Sequence, residues 1–495
     1  KWILMKSALR ASIIFSLLAN IFEGTVRADW PQFRGVNSSG IAAGPAPPIQ
    51  FGPGKNELWR VPIGVGHSSP CLLGQSIFLT TFNKKTRTLA VVCLDRSDGE
   101  VRWTKGVPTD GIEKGHPSFN PASSTPTCDG ERVVAYFGSY GLICFDIAGA
   151  KQWDVKMKLA RSFSGNATSP IIVGDKVILY RGNYVVHFLM AVDKRSGKDI
   201  WKVKQPERFS PDMAGTSTPI VAGDKLIVHS ARAVQAVDIE TGKQIWKMRC
   251  STTATSTPVV AGDEVIVATW HQTGETSQIP ALSTFEKLLE DRDRNKDGVI
   301  DGKEFPRLMI FHRSEGTDAP KNGFPLRMSM VDRNEDGQVD KEEWSKAKAA
   351  GDARRASYEK HGLLAIDINS EGEPEAGQIR RLSDDGIPEV PSPLVHDEHV
   401  YFVKNGGILS CLSLKTGERV YRMRTRGRGT HYASPLIADG KLFTTAGAGQ
   451  ITVLTLRPDP EILAVNDMED GVYATPAIVD GTIYVRTHSA LFAFR

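Results

Sequence analysis

Apolar and polar residues follow a pattern that recurs along the chain. Each copy begins with Ser/Thr-Pro and an apolar pair, passes through a Gly/Asp turn into a β-branched strand, and ends in Asp-x-x-x-Gly-x-x-x-Trp. The copy that opens at Ser217 continues through Asp224 and Asp238 to Trp246. The copies open at eight prolines: Pro70, Pro126, Pro170, Pro219, Pro258, Pro393, Pro435 and Pro476.

The pattern within one copy predicts about four short strands separated by turns. A four-stranded antiparallel sheet cannot bury both of its faces alone, whereas sheets stacked radially around an axis can. We therefore predict an all-β fold, an eight-bladed β-propeller of four-stranded blades. Four tryptophans are expected to wedge between neighbouring blades: Trp103, Trp153, Trp201 and Trp246.

The two ends of the repeat array are complementary. The last copy stops at residues 491–495 without its Trp strand, and an isolated Glu57-Leu58-Trp59-Arg60 stands before the first copy. We predict that this N-terminal segment supplies the fourth strand of the eighth blade, because closing the ring removes exposed strand edges.

The Ala-x-Asp-x-x-Thr-Gly-x-x-x-Trp repeat resembles the pyrroloquinoline-quinone (PQQ) type of propeller repeat. Residues 29–35 and the turn at 66–70 are similar to a secreted bacterial subgroup of that family. The resemblance covers the chain from Asp29 apart from one insert, and it implies a quinoprotein dehydrogenase-like propeller. The chain departs from the family at Tyr421, which stands where the sixth Trp would be, and in blades five and seven, which lack one.

The insert is visible in the spacing of the copies. Successive prolines lie 39 to 56 residues apart, except for the 135 residues between Pro258 and Pro393. We assign residues 29–272 and 361–495 to the propeller, and residues 273–360 to an EF-hand pair inserted in blade five.

Two twelve-residue loops in the insert, 293–304 and 332–343, fit the EF-hand template. Calcium takes roughly six to eight hard oxygen ligands, which Asp, Asn, a backbone carbonyl and a final bidentate Glu supply at fixed loop positions. We predict two Ca²⁺ sites. Their ligands are Asp293, Asn295, Asp297, Val299, Asp301 and Glu304 in the first loop, and Asp332, Asn334, Asp336, Gln338, Asp340 and Glu343 in the second.

The sequence around the loops indicates helices and hence a small all-α insertion. Ser283 and Glu286 form a capping box, and an apolar stripe follows over residues 285–289. A second stripe after the first loop predicts another helix at Phe305, Leu308 and Met309. A dockerin-like module is the alternative, although its loops lie closer together and usually end in Asp.

The N-terminus has the pattern of a signal peptide over residues 1–28. Lys6 and Arg10 precede an apolar run over 11–22, and small residues allow cleavage before Asp29. The run is too short to cross a bilayer, so we expect no transmembrane segment and an exported protein, periplasmic or secreted. An uncleaved anchor is the alternative.

The net charge and the cysteines indicate which partners and disulfides can be expected. The formal net charge of +4 is too small to indicate a nucleic-acid partner. Six cysteines in an exported protein could form disulfides. Three of them occupy the same place in the repeat within apolar strands, which is typical of small buried hydrophobes: Cys93, Cys144 and Cys411.

The insert joins strands two and three of blade five, so it should overhang the face that carries the loops between blades. We hypothesise that this face binds an anionic or polar partner, the alternative being ordinary solvated charge. The candidate residues are His67, His116, Arg161, Arg208, Arg424, Arg426, Arg428 and His431.

These observations favour a monomeric calcium-binding scaffold or binding module with an unknown envelope protein or polysaccharide as partner. The alternative is a PQQ-dependent dehydrogenase-type oxidoreductase. The resemblance implies a pair of adjacent cysteines beside that cofactor, and the chain has no Cys-Cys, so we do not expect PQQ or enzyme activity.

Overall fold

The structure, a computed structural model, describes residues 29–207, 209, 214–250, 252–271, 280–313, 322–356 and 361–495. The predicted signal peptide over residues 1–28 and Arg208 lie outside these ranges. The described chain forms eight antiparallel four-stranded blades, which confirms the predicted propeller. Blade 7 carries one additional parallel strand at its inner edge, Ile41–Ala42.

The first four blades lie in sequence order along the chain, and each is a simple meander. Their strands are Cys71–Leu73, Ser76–Asn83, Thr88–Asp95 and Val101–Val107 in blade 1; Thr127–Cys128, Arg132–Phe137, Gly141–Asp146 and Lys151–Lys156 in blade 2; Ile171–Val173, Lys176–Gly182, His187–Asp193 and Asp199–Lys204 in blade 3; and Ile220–Ala222, Lys225–Ser230, Ala233–Asp238 and Gln244–Arg249 in blade 4.

The last four blades include the interrupted blade and the blade that closes the ring. Their strands are Val259–Ala261, Glu264–Ala268, Leu363–Asp367 and Ile379–Ser383 in blade 5; Leu394–His396, His399–Lys404, Ile408–Ser413 and Arg419–Arg424 in blade 6; Leu436–Ala438, Lys441–Thr445, Gln450–Thr455 and Ile462–Asp467 in blade 7; and Ala477–Val479, Thr482–Arg486, Ala490–Phe494 and Glu57–Pro62 in blade 8.

Blade 8 combines the two ends of the propeller. The segment Glu57–Pro62 pairs antiparallel with Ala490–Phe494, and Trp59 lies opposite Ala493. The predicted closure of the ring is therefore confirmed, and the last strand of the chain is paired on both sides.

The Asp-x-x-x-Gly part of the repeat builds the turn between strands three and four. In blade 3, the Asp193 carboxylate accepts a bond from the Ser196 N–H at 2.8 Å, and the Asp193 carbonyl accepts one from the Gly197 N–H at 2.8 Å. Gly197 has a φ of 69°, a conformation that costs a side-chain-bearing residue about 1–2 kcal/mol. A Cβ at Gly197 would also lie 2.7 Å from the ring of Trp153.

The repeat tryptophans of blades 8, 1, 2, 3 and 4 each connect their blade to the next. Trp153 of blade 2 packs on Gly197 of blade 3 and donates its indole N–H to the Lys194 carbonyl at 2.9 Å. The predicted wedge position is thus confirmed. The same indole-to-carbonyl bond joins Trp59 to Arg96, Trp103 to Ile147, Trp201 to Ile239 and Trp246 to Ile368.

Tyr421 takes the place of a repeat tryptophan in blade 6. It lies opposite Cys411 in the sheet, as Trp103 lies opposite Cys93 and Trp153 is opposite Cys144. All three cysteines are fully buried, which fits their interpretation as small core residues.

Residues 29–42, which we call the plug, cross the inner strands of the ring. Trp30 exchanges two backbone bonds with Leu72 of blade 1. The Asn37 side chain bonds both backbone groups of Val221 in blade 4, at 2.8 and 2.9 Å. Buried Arg34 donates to the Pro393 carbonyl of blade 6 at 2.8 Å. The plug thus ties together blades on different sides of the channel.

The insert has its own small core and two helices, α1 (Phe285–Arg292) and α2 (Lys341–Ala356). Its strands within the described residues are Ile300–Asp301, Met309–Arg313, Asn322–Pro325 and Gln338–Val339. The short 3-10 helices of the described chain are Val36–Ser38, Met328–Met330 and Ala376–Gln378. Neither α1 nor α2, the α-helices of the described chain, has the length and apolar character to cross a membrane.

Candidate functional site

The first EF-hand loop is folded around its own acidic side chains. The Asp293 carboxylate accepts bonds from the Lys296 N–H at 2.7 Å and the Gly298 N–H at 3.0 Å. Gly298 has a φ of 82°, which permits the sharp turn that this loop position requires. The Asn295 side chain accepts from the Asp297 N–H at 2.9 Å, so the first three candidate ligands are held by backbone bonds.

Glu304 closes the first loop from its far end. Its side chain is only 6% exposed, although no cationic side chain of the described residues pairs with it. One carboxylate oxygen accepts from the Arg294 N–H at 2.8 Å, and the other from the Asp301 N–H at 3.3 Å. The last candidate ligand of the loop therefore lies folded back over its first residues.

The second loop repeats this arrangement. Glu343 is 8% exposed and accepts from the Arg333 N–H at 2.8 Å. Asp332 accepts from the Gly337 N–H at 3.0 Å through one oxygen, whereas its other oxygen, Oδ1, is buried without a hydrogen-bond partner. A buried carboxylate oxygen with no donor is costly, and a cation at this position would satisfy it.

The two loops are paired with each other through a short antiparallel bridge. Ile300 lies opposite Val339, and both side chains are fully buried in the core of the insert. The residues that precede Ile300 and Val339 are Val299 and Gln338, whose carbonyls are the predicted backbone ligands.

The ligand chemistry fits calcium, but the side chains do not yet form a closed site. The predicted ligands include eight carboxylates and two Asn side chains, which offer hard oxygens of the kind that calcium prefers. Among the described residues, no group of three or more Asp, Glu, His or Cys side chains converges closely enough to enclose a metal ion. Like charges repel one another, so full convergence of these carboxylates would require the cation itself.

The predicted helical flanks are correct outside the loop pair and wrong between the loops. The N-cap of helix α1 lies one residue after the predicted cap, because the side chain of Thr284, and not that of Ser283, accepts the Lys287 N–H. Residues 305–313, which directly follow the first loop, are not helical: the stripe at Phe305, Leu308 and Met309 enters an extended segment and the hairpin strand Met309–Arg313. Pro306 explains this, because it lacks an N–H and disfavours a helical Phe305.

A cavity of about 670 Å³ occupies the centre of the propeller. Phe33 of the plug contributes to its lining, together with residues of the loops between blades such as His67 and Tyr432. Trp270 and Asn405, which lie between strands two and three of blades 5 and 6, line it as well. The insert therefore leaves the propeller on the face where the inter-blade loops surround the cavity.

A belt of Ser and Thr hydroxyls encircles the cavity and links the blades. The Ser69 N–H donates to the Thr125 hydroxyl at 2.9 Å, and the Thr125 N–H donates to the Ser169 hydroxyl at 3.0 Å. The same bond continues from blade to blade around the ring through Thr218, Thr257, Ser392, Ser434 and Thr475. We did not predict this belt, although its signal is present: each of these residues directly precedes one of the eight repeat prolines.

Burial disfavours the cationic form of two histidines on the hypothesised binding face, His67 and His431. Burial, with the nearby Arg486 and His488, lowers the pKa of His67 to about 3. Burial lowers the pKa of His431 to about 4, and its side chain is 1% exposed. His431 was therefore wrongly included among the residues available to a partner. Arg161, Arg424, Arg426 and Arg428 are exposed, and His116 lines the cavity.

Comparisons with known proteins agree with this architecture. A family profile described as outer membrane protein assembly factor BamB matches residues 51–189 and 186–284, and an EF-hand profile matches residues 285–309 and 327–347. The chain is an eight-bladed β-propeller that resembles BamB, and its insert matches the EF-hand profile. No curated protein matches its sequence.

Solved structures with a similar fold have very different sequences. BamB from Moraxella catarrhalis is 12% identical, with a TM-score of 0.51 over 88% of this chain and 97% of that one. The computationally designed Ika8 protein is 10% identical, with a TM-score of 0.52 over 88% and 99%. The quinohemoprotein alcohol dehydrogenase ADHIIG from Pseudomonas putida HK5 is 12% identical, with a TM-score of 0.51 over 94% and 80%. At such identities the likeness concerns the fold alone.

Proposed function

We propose that this protein is an exported binding module whose propeller presents a partner-binding face and whose EF-hand loops hold two calcium ions. The observation that carries the proposal is the pair of loops joined at Ile300 and Val339, each closed by a buried glutamate, Glu304 or Glu343. Burying two carboxylates without a positive side chain is unfavourable unless another cation compensates them.

The two ions would be held by the twelve ligand residues predicted from the sequence, six in each loop. Glu304 and Glu343 would each provide two oxygens, and Asp332 would provide the oxygen that has no donor in the protein. We assign calcium a structural role. Among the described residues, the core of the insert contains six buried apolar side chains, and the carboxylates beside it repel one another in the absence of a cation.

The face around the cavity is the proposed site for a partner in the cell envelope, either a protein or a polysaccharide. Arg424, Arg426 and Arg428 are exposed at the loop between blades 6 and 7, which continues into cavity-lining residues at Gly429 and Thr430. Three guanidinium groups in five residues favour an anionic partner.

The cavity itself does not support the dehydrogenase alternative. PQQ carries three carboxylates, and the described residues that line the cavity include no Lys or Arg, whereas Glu389 adds a negative charge. The residues present therefore do not fit that cofactor, and we favour a binding role over a quinone-dependent oxidoreductase.

Calcium titration by calorimetry on the full chain tests the proposal. The double variant Glu304→Gln and Glu343→Gln should lose both sites, with an affinity decrease of about tenfold or more, or ~1.4 kcal/mol per site. The matched control is Glu335→Gln with Glu342→Gln, which removes the same charge from exposed loop positions that are not predicted ligands. No heat in the wild type up to about 5 mM calcium, beyond the range of most EF-hands, would refute the calcium site.

The partner face has a separate test on an immobilised acidic polysaccharide such as alginate. Replacing Arg424, Arg426 and Arg428 with Ala should reduce retention by about tenfold, whereas replacing three exposed cations of the opposite turns should not. The control residues are Arg195, Lys198 and Lys243. Equal retention of the two triple variants would refute the assignment of this face.

A further inference from the structure

Two buried cysteines meet at the junction of blade 1, blade 2 and the plug. Cys71 opens the inner strand of blade 1, and Cys128 ends the inner strand of blade 2. Their sulfur atoms are 3.2 Å apart, and the side chains are 0% and 4% exposed. They are separated by 57 residues in sequence, so only the fold brings them together.

We propose that Cys71 and Cys128 form a disulfide bond that staples blade 1 to blade 2. A disulfide has an S–S distance of about 2.05 Å, so the two sulfurs would have to approach by roughly 1 Å. Side-chain rotation can provide such a shift, because both residues belong to short strands that are already fixed side by side.

The surroundings distinguish this pair from the other cysteines. Cys93 belongs to the same apolar cluster, but its sulfur contacts the Leu94 carbonyl at 4.0 Å rather than another sulfur. Cys144 contacts the Phe145 carbonyl at 3.7 Å. Cys93, Cys144 and Cys411 share one position of the repeat, opposite an aromatic residue, whereas Cys71 and Cys128 lie in the inner strands.

The plug covers this pair. The Pro31 carbonyl accepts the Cys128 backbone N–H at 2.9 Å and lies 3.1 Å from the sulfur of Cys71. The residue before Pro31, Trp30, forms two backbone hydrogen bonds with Leu72. A bond between the sulfurs would fix the two strands on which this part of the plug rests.

The oxidation requires a disulfide donor, and it balances through two exchange steps. A thiolate of the pair attacks a small disulfide such as oxidised glutathione and releases one glutathione thiol. The second cysteine of the pair then attacks the mixed disulfide and releases the other. Two protein thiols are oxidised, and one glutathione disulfide is reduced to two thiols.

The burial of the two cysteines determines when the disulfide can form. Desolvation, together with the neighbouring Cys71, raises the pKa of the Cys128 thiol, so the reactive thiolate is disfavoured in the folded protein. We therefore expect the bond to form during folding, before the plug covers the sulfurs, and only slowly in the folded and reduced chain.

Refolding of the full chain in a glutathione redox buffer tests the proposal. Free thiols are then blocked with N-ethylmaleimide under denaturing conditions, and the protein is digested with trypsin and analysed by mass spectrometry. Lys84 and Lys85 separate Cys71 from Cys93, and Lys114 and Arg132 bound the peptide of Cys128, so each pairing gives a distinct product. The expected product is a cross-link of Cys71 to Cys128 with the other four cysteines blocked.

The variants Cys71→Ala and Cys128→Ala should each abolish this product, and Cys144→Ala should retain it. Six blocked cysteines in the folded protein, or a cross-link that involves Cys93, would overturn the proposal. If refolding fails, the chain is exported into an oxidising periplasm and mapped in the same way. The oxidised wild type should melt several degrees above the reduced form, and equal melting temperatures would overturn the staple.

Discussion

Trp153 packs against Gly197 of the following blade so closely that a Cβ on the glycine would lie 2.7 Å from the indole. The same pairing recurs between Trp59 and Gly99, Trp103 and Gly149, and Trp201 and Gly242. The repeat motif therefore describes a contact between two copies, because the Trp of one blade requires the Gly of the next.

Replacing Gly197 with Ala should lower the free energy of unfolding by about 2–4 kcal/mol, from backbone strain and the collision with Trp153. Gly223→Ala is the matched control. Its φ of 62° is similar, but no atom lies within 4 Å of the added Cβ, so only about 1–2 kcal/mol should be lost. Urea unfolding measures both variants, and equal losses would contradict the role of the tryptophan contact.

Thr218→Val should destabilise the propeller by about 1–3 kcal/mol, because the buried Ser169 N–H would lose its acceptor at 3.2 Å. Valine has nearly the shape of threonine, so the change removes the hydrogen bond with little change in packing. Thr218→Ser retains the hydroxyl and should cost less. Thermal unfolding compares the two variants, and a serine variant less stable than the valine variant would argue against the belt.

Calcium should protect the insert from proteolysis. Trp344 is fully buried in the insert core and donates to the Ser283 carbonyl at 2.9 Å, which connects α2 to the start of α1. When calcium is removed with a chelator, repulsion among the carboxylates should open this core and speed cleavage within residues 280–356 by about tenfold.

The double variant Glu304→Gln and Glu343→Gln should be cleaved at one rate with or without calcium, whereas Glu335→Gln with Glu342→Gln should behave like the wild type. Cleavage of the wild type at the same rate in calcium and in chelator would refute a structural role for the ion.

Glu113 should make the stability of the propeller depend on pH. It is 4% exposed and accepts one hydrogen bond, from Asn166 at 3.2 Å. Burial raises its pKa from the usual 4.5 to about 8. Because the folded pKa is the higher one, its contribution to stability is complete below about pH 4.5 and is lost as the pH rises through 8.

Glu113→Gln should flatten the stability profile over this range, by up to about 1.4 kcal/mol per pH unit. Urea unfolding at pH 5, 6.5 and 8 measures the effect, and the exposed Glu131→Gln serves as control. If the stability profiles of the wild type and Glu113→Gln run parallel, burial does not shift the pKa of Glu113.

The repeat could be predicted from the sequence because its information is local. Within one copy, Asp193 and Gly197 form a turn with each other, and the apolar strands around them alternate as a sheet requires. The closure of the ring could also be predicted, since Trp59 carried the signature of a missing fourth strand.

The contacts that were not predicted join distant residues that carry no periodic signal. Asn37 bonds Val221 across 184 residues, and Arg34 bonds Pro393 across 359. The belt was not predicted for a related reason. In the sequence, Ser/Thr-Pro indicates only the start of a strand, whereas the Ser or Thr hydroxyl accepts a hydrogen bond from the neighbouring blade. The helix after the first EF-hand loop was predicted from apolar spacing, and Pro306 outweighed that spacing.

The closure of blade 8 also determines when the ring can close during synthesis and folding. Glu57–Pro62 is synthesised long before its partner strand Ala490–Phe494. A contact of such sequence separation carries a large loop-closure entropy, so ring closure should be a late and slow step. Until Ala490–Phe494 has left the ribosome, Glu57–Pro62 has no partner strand in blade 8. The ring can therefore close only after the strand made last in blade 8 has emerged.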